Sequence, residues 1–176
     1  MLIRLLGILF LSILPSTLSF GQGSDVPQEY LVKAKYLLNI PLFTEMPLQS
    51  KNNTYYNICL IGDTPLESVL ASAKGKLIKN RPLTIRKVSD LSQAESCQML
   101  FIASSERLRL RTLLPEANSR GILTISDMRD FTRLGGMVCL LTVDNRVTFD
   151  LNLSAASKAS ISFSSHLMKL ARDIIN

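Results

Sequence analysis

Side chains able to do chemistry are few and scattered along this 176-residue sequence. The single histidine is His166. One imidazole cannot supply a multi-histidine metal site, although it could serve in a triad with a serine and an acid. Ser104, Ser105, Ser164 and Ser165 stand where helices are expected to begin and read as caps. No Gly-x-Ser-x-Gly elbow is present. Asp127 and Asp130 are three residues apart, a spacing suited to acid–base work or to a hard cation. A place in the first turn of a short helix over 128–133, with Asp127 as cap and Arg129 and Arg133 as counter-charges, explains both without a ligand. Gly62-Asp63-Thr64-Pro65 falls where a strand should meet a helix, the usual ligand crevice of open α/β sheets. It lacks the glycine spacing of a dinucleotide loop and the Gly-Lys-Ser/Thr of a phosphate loop, and a capped turn accounts for it. No catalytic residue, metal-ligand set or cofactor is therefore assigned.

The three cysteines, Cys59, Cys97 and Cys139, include no Cys-x-x-Cys pair, which argues against a thiol oxidoreductase and a structural zinc site. Cys139 lies in a dense apolar strand and reads as a small buried hydrophobe. Cys59 and Cys97 fall in or beside two other strands. A bridge between them requires those strands to be close, and two free thiols are the competing reading.

These residues must be held by elements that the apolar pattern places as follows. A helix is expected over 27–40, with Leu31, Ala34 and Leu38 on one stripe, ended or kinked by Pro41. Short apolar strands are expected over 55–61, 82–88, 99–103 and 121–125, separated by helical stretches. One of these opens at Thr64-Pro65-Leu66-Glu67, and another runs from Ser104 to Leu114, before Pro115. Two further strands, 137–143 and 146–151, flank Asp144-Asn145 as a hairpin. A short helix over 153–159 and a last helix carrying Leu167, Leu170, Ala171, Ile174 and Ile175 close the chain. The expected fold is a single three-layer α/β domain. A mostly parallel sheet is flanked by helices, with a C-terminal β-hairpin plus helix.

The first 21 residues read differently. Met1-Leu2-Ile3-Arg4 is a charged start, 5–14 is a short apolar run, and Ser19 and Gly21 are small residues spaced for cleavage. That combination describes a secretory signal peptide over 1–21, followed by one domain over 22–176, and so export. The apolar run is shorter than the roughly 20 residues that a membrane-spanning helix needs. The formal charge of +6 is modest, and a basic stretch holding Lys74, Lys76, Lys79, Arg81, Arg86 and Lys87 has no interleaved aromatics. Export and the missing stacking platform argue against nucleic acid, and a solvated face explains the charge.

Several stretches in order resemble the YfiR family of periplasmic regulators. They are Glu29-Tyr30-Leu31-Val32-Lys33-Ala34-Lys35-Tyr36-Leu37-Leu38-Asn39; Phe43, Glu45 and Pro47; the strand and Gly-Asp-x-Pro over 56–65; and 77–83. They continue with 97–107, 123–127, Phe131, Gly135-Gly136-Met137, then Phe149, Leu151-Asn152-Leu153 and Ala156, and finally Ser164-Ser165, Leu167 and Leu170-Ala171. Pro41 interrupts a stretch that the family keeps helical, Met46 replaces a usual Trp, and Cys139 has no neighbouring second cysteine. The resemblance implies a non-enzymatic periplasmic protein that binds the periplasmic region of an inner-membrane diguanylate cyclase and holds it inactive. Release, through capture by an OmpA-like outer-membrane lipoprotein, would raise cyclic-di-GMP and promote biofilm formation. It also implies a Cys59–Cys97 bridge, as in some relatives. Phe43, Phe131, Gly135, Gly136, Asn152, Ser164 and Ser165, which lie in the resembling blocks, become the partner-binding candidates, and a homodimer is a further expectation. The alternative reading is a periplasmic small-molecule-binding protein using the crevice near Gly62-Asp63-Thr64. A secreted hydrolase built around His166, or around Asp127 and Asp130, comes third.

Overall fold

The structure is a computed structural model that describes residues 26–47 and 53–176; the expected leader over 1–21 lies outside them. Helix α1 (Gln28–Asn39) leads through a 3-10 turn, Ile40–Phe43, into the two-residue strand β1 (Thr44–Glu45). Pro41 sits inside that turn and ends the α-helix as its missing N–H requires. There follow β2 (Tyr56–Ile61), α2 (Leu66–Ala71), β3 (Leu77–Ile78), β4 (Arg81–Val88), β5 (Met99–Ile102), α3 (Leu110–Ser119) and β6 (Leu123–Ser126). The hairpin β7 (Val138–Val143) and β8 (Arg146–Asn152), then α4 (Leu153–Lys158), β9 (Ser162–Phe163), α5 (Ser165–Leu170) and β10 (Asp173–Ile175) complete the chain.

Eight strands form one sheet in the order β10-β8-β7-β6-β5-β2-β4-β3, and β1 pairs antiparallel with β9 beside it. The run from β7 to β4 is parallel, as the helical crossovers demand, whereas β8 returns antiparallel through the tight turn at Asp144-Asn145. Both turn residues have positive φ, 47° and 58°, the backbone that such a two-residue hairpin uses.

Because side chains alternate along a strand, the sheet builds two cores. On one face Tyr56, Ile58 and Leu60 of β2, Met99 and Phe101 of β5, and Leu140 of β7 pack against Ala34 and Leu37 of α1 and Leu66 and Leu70 of α2. On the other, Cys59, Ile61, Leu100, Ile102 and Cys139 meet Leu110, Leu113, Leu114 and Ala117 of α3 and the 3-10 turn Leu91–Ala94.

Three expectations need correction. The helix expected to end before Pro115 begins as a 3-10 turn, Ser104–Arg109, and α3 then runs through Pro115 to Ser119. Its four buried apolar residues hold it together, while Pro115 and Arg111, the site of the lost backbone bond, face water. The last helix stops at Leu170, and Ile174 and Ile175 are not on its stripe: Asp173, Ile174 and Ile175 pair in parallel with Asp150, Leu151 and Asn152. That pairing covers an edge of β8 that would otherwise be open. The Arg172 guanidinium anchors it on the Asp150 carboxylate at 2.8 and 2.5 Å. Finally, residues 128–135 form turns instead of a helix, with Asp130 at φ 62°.

Candidate partner-binding site

Of the residues weighed for catalysis, Asp127 is held by a structural contact. Lys33 on α1 is 5% exposed, and its Nζ lies 2.8 Å from Asp127 Oδ2 and 3.7 Å from Glu29 Oε1. A buried ammonium needs such a partner, so Asp127 ties α1 to the carboxyl end of the sheet. Sequence proximity suggested Arg129 and Arg133 as its counter-charges; the partner is instead Lys33, 94 residues away in sequence. Ser126 Oγ, not Asp127, accepts the Met128 N–H. Tyr30 completes the cluster, its ring 4.6 Å from Lys33 Nζ. Burial, and then the Asp127 and Glu29 carboxylates, hold its phenol above the ordinary value. Asp130 stays on the surface. His166 is exposed on α5 with its ring 5.3 Å from that of Phe43. Among the described residues, no three His, Cys, Asp or Glu side chains gather as metal ligands.

The crevice expected at Gly62-Asp63-Thr64 is closed by the chain itself on the β5 side, while toward β4 an open cavity of about 470 Å³ lined by Gly62, Asp63, Lys87, Ser89 and Arg109 remains. The Asp63 N–H donates to Ser105 Oγ at 3.0 Å, and a Cβ on Gly62, whose φ is 85°, would come within 2.5 Å of that oxygen. Ser105 and Glu106 thus close the gap between the ends of β2 and β5, where a bound molecule would otherwise lie. Thr64 Oγ1 accepts the Leu66 N–H at 3.3 Å, in keeping with its reading as a cap.

Cys59 and Cys97 form a disulfide with their Cα atoms 5.9 Å apart. The link joins β2 to the segment entering β5, its parallel neighbour, so strand adjacency brings the two thiols together. Cys139 is free and buried, and burial pushes its thiol up to about 11.

The partner-binding candidates fall into two groups. Phe131 is fully buried under α3, and a Cβ on Gly136 would run into its ring, so this loop closes on itself only with glycine there. Gly135 has φ 101° and Gly136 N–H donates to the Phe131 carbonyl at 2.9 Å. Asn152, 7% exposed, caps α4 by accepting the Ala155 N–H at 2.7 Å and donates to the Thr132 carbonyl at 2.8 Å. It therefore fixes the same loop from below. The second group lies at the other end of α4: half-buried Phe43, whose carbonyl accepts the Ser164 N–H at 2.9 Å, then Ser164 as cap of α5 and exposed Ser165. Phe131, Gly136 and Asn152 give a partner little surface of their own; they set the shape of the loop that presents it.

Sequence reasoning passed over Lys33 and the exposed leucines. Lys33 lies off the stripe expected through Leu31, Ala34 and Leu38, but that stripe needs correction: α1 buries Lys33, Ala34 and Leu37 and leaves Leu31 exposed. Leu108 reads as an ordinary apolar helix residue until the 3-10 turn is seen to leave it 96% exposed.

The curated proteins contain no match to this sequence. A sequence model of a family described as YfiR/HmsC-like matches residues 30–172. Among solved structures, a conserved domain protein of Vibrio cholerae O1 biovar El Tor superposes with a TM-score of 0.55 at 9% identity, over 82% of this chain and 60% of that one. A Streptococcus pneumoniae protein, described as the ABC domain in complex with L-Trp, gives 0.53 at 7% identity, over 83% and 60%. This chain thus spans less than two thirds of either, and likenesses at such identities concern the fold alone.

Proposed function

Because this chain belongs to the YfiR/HmsC-like family, we propose that it is an exported regulatory protein. It binds the periplasmic region of an inner-membrane diguanylate cyclase and represses it. The observation that carries this reading is the extent of the match, 143 residues over 30–172, which takes in both cores, the disulfide and both groups of candidate residues. The commitment of Asp127 to Lys33 supports recognition rather than turnover.

Repression requires preferential binding to the inactive cyclase, since a ligand with equal affinity for both states shifts nothing. A rigid two-core body stapled at Cys59–Cys97 suits that task, because it loses little freedom on docking. Phe43, Gly135, Ser164 and Ser165 are the candidate contacts, with Phe131, Gly136 and Asn152 holding the loop behind them. Capture by an OmpA-like outer-membrane lipoprotein would relieve the repression.

The test is a pull-down of the periplasmic regions of the diguanylate cyclases encoded in the same genome, together with cyclic-di-GMP measured after deletion of this gene. Binding of one cyclase and a rise of the nucleotide on deletion are expected. An unchanged nucleotide level with no cyclase retained would overturn the reading.

A further inference from the structure

The carboxyl end of the parallel strands carries a surface that the contacts above leave open. The 3-10 turn Ser104–Arg109 after β5 and the loop 127–136 after β6 lie side by side there: Arg107 Nη1 donates to the Arg129 carbonyl at 3.4 Å. Buried Leu114 of α3 sits 3.8 Å from where a Gly135 Cβ would be, so the helix packs beside this loop. Two apolar side chains stand out of it, Leu108 at 96% exposure and Leu134 at 48%. Around them Arg107, Arg111, Arg129 and Arg133 are exposed, and none has a carboxylate partner among the described residues.

The neighbouring acids are otherwise engaged. Glu106 pairs with Arg109 at 2.7 Å, Asp127 with Lys33 at 2.8 Å and Asp150 with Arg172 at 2.5 Å. Asp130, and Asp173 across the adjoining cavity, are the exposed acids here, so four arginines against two aspartates leave the patch net positive. Beside it, Arg129, Asp130 and Arg133 help to line a polar cavity of about 340 Å³, together with the Arg172–Asp150 pair and Asp173.

We propose that this surface is the docking site for an acidic segment of a protein partner, one that presents an apolar side chain to Leu108 and Leu134 among its carboxylates. The inference rests on the regulatory reading above and names the chemistry of the partner's contact. Charge complementarity selects the acid, since unpaired guanidiniums bind carboxylates through two parallel hydrogen bonds. Composition selects a protein. The segments 104–111 and 127–136 contain five arginines, these four and Arg109, and no lysine, whereas exposed Lys74 and Lys76 cluster at the β3 hairpin. Interfaces with proteins are enriched in arginine and depleted in lysine. A second copy meeting the same patch about a two-fold axis would set arginine against arginine, which argues against self-association here.

The test titrates the full chain with a labelled peptide of alternating Glu and Leu, its Gln-and-Leu counterpart, and vesicles rich in phosphatidylglycerol. The acidic peptide is expected to bind and to weaken with salt. It should lose about tenfold in affinity on Arg111→Glu with Arg133→Glu, and several-fold on Leu108→Ser, but stay unchanged on Lys74→Glu with Lys76→Glu. Thermal unfolding at the wild-type temperature shows that these surface variants remain folded. Equal binding of the uncharged peptide, equal loss in the lysine variant, stronger association with the vesicles, or dimerisation abolished by Arg111→Glu with Arg133→Glu would each overturn the proposal. The periplasmic region of the cyclase separates the two readings. If it binds wild type and Arg111→Glu with Arg133→Glu alike, the docking surface falls and the regulatory reading stands. If it binds neither while the peptide behaves as expected, only the regulatory reading falls.

Discussion

The two faces of the sheet are built on different principles. The face under α1, α2, α4 and α5 is a broad apolar core in which Tyr56, Leu37, Met99 and Phe101 are fully buried. The face under α3 is smaller and relies on directional ties: the Cys59–Cys97 bridge, Ser126 donating to the Ile102 carbonyl at 2.6 Å, and Asn152 gripping the Thr132 carbonyl. A core with enough area can rely on burial, which has no preferred direction. A thin one that must also hold the loops at the strand ends needs covalent and hydrogen-bonded constraints. The second face is the one whose loops carry the arginine surface, so precision there falls where recognition is proposed.

Removing volume and removing ties should therefore have separable effects. The largest loss is expected from Phe101→Ala on the broad face, about 3–5 kcal/mol in denaturant unfolding, with the cavity left behind adding to the lost burial. Reduction of Cys59–Cys97 should cost about 2–4 kcal/mol, given its 38-residue separation, and should lower the melting temperature only when reductant is present. The two effects should add within about 0.5 kcal/mol if the faces are independent; strong coupling would break the comparison.

Gly136→Ala comes next, at about 1–3 kcal/mol, because its methyl group would collide with the Phe131 ring. The same change should weaken the binding of an acidic partner, since the loop that it displaces carries Arg129 and Arg133. A variant that melts normally and binds normally would show that the loop tolerates displacement.

The smallest effect is alkaline. Burial raises the folded Cys139 thiol to about 11 from an ordinary 9.0, so the neutral form is favoured in the native state. The stability that this contributes is complete below pH 9.0 and is lost as pH climbs toward about 11. Iodoacetamide at pH 8 should leave Cys139 unmodified in the native protein and label it once the chain is unfolded. Rapid native labelling would mean that the α3 face opens readily.

Much of this architecture was legible in advance because it rests on local signals. The mostly apolar run of β2, the fully apolar run of β5, the Asp144-Asn145 turn and Pro41 each specify their element through side-chain periodicity or backbone conformation. The misread segments are those where a distant contact outweighs a local preference. The 165–175 stretch carries helical spacing, yet Arg172 meets Asp150 and the chain takes up the free edge of β8. Pro115 signals an end, yet four buried residues of α3 outweigh one solvated carbonyl. For the site, Ser164 was readable as a cap, whereas Ser104 and Ser105, which also read as caps, begin a 3-10 turn without capping it, and Lys33 beside Asp127 was not legible, since 94 residues separate them.

By itself the sequence determined the alternation of strand and helix, the layered class of the fold and the scarcity of reactive side chains, all of which depend on residue type and near-neighbour spacing. The tertiary structure alone decided which charges meet, that Cys59 lies against Cys97 while Cys139 stays apart, and that arginines from two separate segments share one surface with an exposed leucine. These are matters of distance through space, and the chain fixes them only when burial of the whole sheet brings its remote segments together.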